Sequence, residues 1–90
     1  MEVRKMRLLR HKYGISCREL VKACGLTTQR IYDIELNANV ELEAETKAKI
    51  KAGFAAVIAK RRLALTNFEQ DYEAHQETLL DAVEETTYEL

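Results

Sequence analysis

An all-α fold, a small helix-turn-helix bundle with an extended C-terminal helix or helical hairpin, is what three observations in this chain predict. Its 90 residues include no proline and only three glycines, too few turn formers for a sandwich or a barrel. Two short amphipathic segments, each introduced by a capping residue, flank Gly25. From residue 44 to about 85 only Gly53 interrupts a helix-forming run, at a cost of about 1 kcal/mol relative to alanine.

Each element follows in order. A first helix is predicted over 3–12, with Val3, Met6, Leu8 and Leu9 as its apolar positions, and Tyr13-Gly14 ends it because glycine accepts the left-handed conformation favoured there. A second helix runs over 17–24. Ser16 is its N-cap, and Glu19 three residues on completes a capping box. Gly25 closes that helix, Thr27 caps the next, and a third helix spans 28 to about 36. Leu20, Val21, Cys24, Leu26, Ile31 and Ile34 then face inward, which turns Thr28, Gln29, Tyr32 and Asp33 outward. Asn37-Ala38-Asn39 forms a loop. The long segment beyond 44 is read as one nearly continuous element; Thr66 with Glu69 is a second capping box that would instead begin a new helix. Residues 84–90 are expected to fray.

Steps of four and three from Phe54 reach Ile58, Arg61, Leu65, Phe68, Tyr72, His75, Leu79 and Ala82. This pattern reads as a coiled-coil seam, broken by Arg61 and His75. Phe54, Ile58, Leu65, Phe68, Tyr72 and Leu79 are its candidate dimer contacts, while packing within one chain is the alternative. The first 58 residues are thus expected to form the helix-turn-helix domain and 59–90 a helical, acidic extension that dimerises.

The formal net charge of −1 conceals a strong segregation. Residues 1–40 carry eight Lys or Arg against four acids, and residues 41–66 six against three. Residues 67–90 carry eight acids and no Lys or Arg. The basic portion is suited to following phosphates and the acidic end is not. Cys17 and Cys24 lie two helical turns apart, about 10 Å between Cα atoms, beyond the roughly 7 Å a disulfide spans. Neither cysteine forms a known ligand spacing with His11 or His75, so no metal site is expected. No apolar run approaches the roughly 20 residues that span a bilayer. The basic N-terminus lacks the apolar stretch of a signal peptide. A cytoplasmic protein with no membrane partner is expected. Nothing resembles a nucleophile elbow, a phosphate loop or a metal motif, so neither an enzymatic role nor a cofactor is expected.

A second helix with a polar, hydrogen-bonding outer face is what reading the major groove of DNA requires. The pattern Ser16, Glu19-Leu20, Ala23, Gly25, Thr27-Thr28-Gln29, Ile31 and Ile34-Glu35 resembles the phage Cro and repressor class of helix-turn-helix proteins, the xenobiotic-response-element type, over residues 4–58. The resemblance implies a repressor-like bundle and an ion pair between Arg10 and Glu35, tying the first helix to the third. It also implies that Thr28, Gln29, Tyr32 and Asp33 contact bases. Gln29 offers a carboxamide that bonds adenine bidentately, Thr28 a methyl for thymine, and Asp33 an acceptor for cytosine N4. Ser16, Arg18, Lys22, Thr27, Arg30 and Asn37 are the corresponding candidates for phosphate contacts. The chain departs from the family at Cys17, where a glutamine commonly braces the recognition helix or touches phosphate. Cysteine is expected to serve either purpose poorly. A second departure is Leu36-Asn37, where Arg-Gly or Asn-Gly is usual.

The resulting expectation is a sequence-specific, double-stranded-DNA-binding transcriptional regulator, a homodimeric repressor of bacterial, phage or mobile-element origin. The alternative is a protein-interaction module on the same scaffold, such as an antirepressor, an antitoxin-like partner or an assembly factor. In that case the acidic C-terminal segment would engage a protein.

Overall fold

Four α-helices follow one another in the computed structural model, which describes residues 2–84. They are α1 (Lys5–Lys12), α2 (Cys17–Cys24), α3 (Thr28–Leu36) and α4 (Ala44–His75), and the described residues contain no strand. The all-α class with a long C-terminal helix is therefore observed. The contacts divide the chain into two units, Met1–Ala59 and Lys60–Leu90, with α4 running through both.

The first unit is built around α2 and α3. Ser16 Oγ accepts from the Glu19 N–H at 3.0 Å, and Thr27 Oγ1 accepts from the Arg30 N–H at 3.1 Å. Each hydroxyl satisfies one of the N–H groups that the first turn of a helix leaves without a partner. Gly25 closes α2 in the left-handed region at φ 76° and donates its N–H to Val21 O at 3.0 Å. A side chain there would meet the penalty of about 1–2 kcal/mol that left-handed backbone imposes on L-residues.

Leu20 and Ile31 are fully buried at the centre of the core, with Ile15, Cys17, Cys24 and Val57 around them. Each such aliphatic side chain contributes about 1.5–3 kcal/mol on leaving water. From α4, Ile50, Gly53 and Val57 are buried and Phe54 packs on the same core, the i, i+3, i+4, i+7 stripe of a docked helix. Gly53 permits this approach. A Cβ built there would lie 2.7 Å from Cys24 Cβ and 3.2 Å from Leu20 Cδ1.

Three expectations are corrected. In α1 the apolar Leu8 and Leu9 are exposed, and the buried residue is Arg10. The helix also begins at Lys5 rather than at residue 3. Arg4 is extended, and its N–H donates to Glu35 O at 2.9 Å instead of entering the helix. Phe54, grouped with the dimer seam, belongs to the core of its own unit.

In the second unit α4 passes through Thr66 unbroken, so no new helix starts there. The Thr66 hydroxyl donates back to Arg62 O at 3.0 Å, the bond a threonine makes inside a helix. The helix ends at His75, ten residues before the expected end near 85. Thr78 takes the His75 carbonyl with its backbone N–H at 3.1 Å, and Asp81 N–H takes Thr78 O at 3.0 Å, converting helix into turn. Glu69, Asp71, Glu73 and Glu77, with no Lys or Arg near them, place negative charge at the negative end of the helix dipole and disfavour its continuation. The fraying expected for 84–90 lies, apart from Glu84, outside the described residues.

Candidate functional site

The outer face of α3 is set by what holds the inner one. Ile31, Ile34 and Glu35 are buried, so Thr28, Gln29, Arg30, Tyr32 and Asp33 stand exposed, with Thr27 and Asn37 exposed at the two caps. All seven expected contact residues of this helix and its caps are thus exposed. Arg18 and Lys22, one turn apart, are exposed on α2. Ser16 is exposed, although its hydroxyl already caps α2, as the Thr27 hydroxyl caps α3.

Two of the expected base-reading side chains are joined. Gln29 Nε2 donates to Asp33 Oδ1 at 2.9 Å across one helical turn. The bond uses one amide hydrogen and leaves the Gln29 carbonyl and second N–H available, the pair needed for bidentate recognition of adenine. Asn37 Nδ2 donates to Asp33 O at 2.6 Å, so Asn37 seals the C-terminal end of α3.

Behind this face lies a buried ionic cluster. Arg10 Nε donates to Glu35 Oε2 and Arg10 Nη2 to Glu35 Oε1, each at 2.9 Å, in the fork geometry that binds a carboxylate with two bonds. Arg10 Nη1 donates to Ile15 O at 3.0 Å, fixing the loop that precedes α2. Glu35 is 0% and Arg10 4% exposed, so the pair implied by the sequence resemblance is a buried one. Hydrogen bonding to Glu35 holds the Arg10 guanidinium above its ordinary pKa, against the opposing effect of burial. No buried side-chain nitrogen or oxygen among the described residues lacks a partner.

Sequence reasoning missed two further arginines. Arg7 Nη1 adds a bond to Glu35 Oε1 at 3.2 Å. Arg4 donates from Nε to Ile34 O at 2.9 Å and from Nη2 to Asn37 O at 3.2 Å, and it also bonds Val40 O. Arg4 thereby supplies a cation and several donors to the carbonyl end of α3. The available signal was spacing: Arg7 and Arg10 are three residues apart and so lie along one side of α1, with Arg4 three residues earlier at its N-cap.

Cys17 is buried, and its thiol, a weak donor, makes one long contact to Thr28 O at the start of α3, with sulfur and oxygen 3.8 Å apart. Burial pushes the Cys17 thiol above its ordinary pKa, while the Arg10 charge pulls it down. Cys17 and Cys24 are both free thiols. Among the described residues no cluster of three or more His, Cys, Asp or Glu could hold a metal, and no helix is long and apolar enough to cross a membrane.

The expected seam residues Ile58, Leu65, Phe68, Tyr72 and Leu79 are all exposed along or just beyond α4, whereas Phe54 is not part of that surface. Compared with protein-family models, curated proteins and solved structures, the chain matches none of them.

Proposed function

We propose that this protein is a sequence-specific DNA-binding transcriptional regulator, a homodimeric repressor, in which α3 enters the major groove. One observation carries the reading. A nine-residue helix is anchored from behind by Ile31, Ile34 and the Arg10–Glu35 pair, and its outer face is lined with side chains able to read base edges.

Gln29 is the principal base reader and would address adenine. Thr28 would meet a thymine methyl and Tyr32 would pack against sugar or thymine. Asp33 acts chiefly through Gln29, whose amide it holds. Arg18, Lys22 and Arg30 are the phosphate cations, and the capped N-terminus of α3 at Thr27 favours a phosphate nearby. Ser16 and Asn37 flank them. One recognition helix reads few base pairs, so two copies on half-sites about 34 Å apart would supply specificity.

Selection from a random duplex library at moderate salt tests this, with Gln29→Ala beside the wild type. The expected result is a two-fold symmetric motif. It loses about 1–3 kcal/mol of discrimination at one position per half-site in the variant. Absence of any enriched motif would favour a protein-interaction module. The exposed Asp33 on α3 and the acids from Glu69 to Asp81 already give that reading its motive.

A further inference from the structure

The second unit presents an apolar stripe along α4. Leu65, Phe68 and Tyr72 are 59%, 70% and 49% exposed, and a groove of about 280 Å³ is lined by Phe68, Asp71, Tyr72, His75 and Leu79. Charge is segregated along the same helix, with Lys60, Arg61 and Arg62 before the stripe's centre and Glu69, Asp71 and Glu73 after it.

We propose that this face is covered by a second copy of the same helix running antiparallel, with the two-fold axis between Thr66 and Asn67. This inference rests on the homodimer in the proposed function and not on its DNA contacts. Antiparallel pairing sets Lys60 on the same flank as Asp71 of the second copy, and Arg62 on the same flank as Glu69 and Glu73 of the second copy. Leu65 then packs on Phe68 of the second copy, and Arg61 lies over the ring of Tyr72 of the second copy, a cation–π geometry. Parallel pairing does the reverse. It stacks Arg61 on Arg61 inside the seam and opposes acid with acid along the flanks, which is unfavourable. The aromatic and leucine side chains of both copies, with the stems of the flanking charges, would bury on the order of 1,000 Å². That area lies at the lower end for a specific interface, so association in the micromolar range is expected.

The test uses the full chain without DNA. Arg61→Cys and Tyr72→Cys variants are oxidised alone and as an equimolar mixture, and the products are identified by mass. Both native cysteines are buried and do not compete. Antiparallel pairing predicts a mixed 61–72 disulfide that dominates over either self-linked product. Self-linked products from each variant alone would mean parallel pairing and overturn the proposal. So would a wild-type chain that sediments as a monomer at high micromolar concentration. As a second arm, K60E/R62E should raise the dissociation constant about tenfold or more by opposing acids to acids. The further changes D71K/E73K should restore association, because the charges again alternate across the pair. An unchanged dissociation constant in K60E/R62E would refute the antiparallel arrangement. If no DNA motif is found but the mixed disulfide forms, the DNA reading fails and this one stands.

Discussion

Glu35→Gln is the sharpest perturbation of the scaffold behind α3. The substitution keeps the shape of the side chain and removes the charge from a fully buried group that accepts two bonds from Arg10 and one from Arg7. A guanidinium only 4% exposed would then face a neutral amide whose NH₂ group cannot accept a hydrogen bond. Removing one member of a buried pair costs about 3–5 kcal/mol, because the other charge remains desolvated. Domains of this size are stable by only about 5–15 kcal/mol. A loss of 3 kcal/mol corresponds to about 12–24 °C in melting temperature. Urea unfolding followed by far-UV circular dichroism measures it, with the denaturant slope checked for constancy. Arg10→Met should cost a similar amount. Arg10→Met combined with Glu35→Leu should cost clearly less than the sum of the single changes, since no buried charge is then stranded. The pH dependence has a definite sign. The raised Arg10 pKa means that its contribution is fully present below the ordinary arginine value and is lost only as pH rises through the still higher folded one, so it stays constant over the working range. Single variants costing under about 1 kcal/mol, or additive losses in the double variant, would refute the reasoning.

Two further outcomes follow from the packing. Gly53→Ala gains about 1 kcal/mol of helix propensity, yet its Cβ would lie 2.7 Å from Cys24 Cβ, so a net loss of about 1–2 kcal/mol is expected in thermal melts and a gain would refute the close approach. Burial raises the Cys17 thiol pKa, so its contribution to stability is intact below the ordinary thiol range and declines as pH rises through the folded value; Cys17→Ala should flatten that alkaline decline in urea titrations, and an unchanged slope would contradict the assignment.

Local chemistry was enough to specify the two short helices α2 and α3 and the turn between them. Ser16, Gly25 and Thr27 act through hydrogen bonds and backbone angles of their immediate neighbours, which is why α2 and α3 begin and end where capping places them. The exposed face of α3 follows from the same local logic, because the apolar spacing of Ile31 and Ile34 decides which side chains are left outside. Three-dimensional partners decided the rest. Arg10 displaced Leu8 and Leu9 from the interior of α1 because a buried carboxylate 25 residues away required a guanidinium there, and no window of apolar periodicity contains that requirement. Gly53 reads along the chain as a helix weakness, and only the approach of α4 to Cys24 and Leu20 shows it as the residue that lets them pack. Phe54 fits a heptad seam by spacing but is held by the core of its own unit, since periodicity specifies a face and not what covers it. Arg4 leaves α1 to satisfy the end of α3 for the same reason: hydrogen-bond demand at a distance outweighs helix propensity at the site.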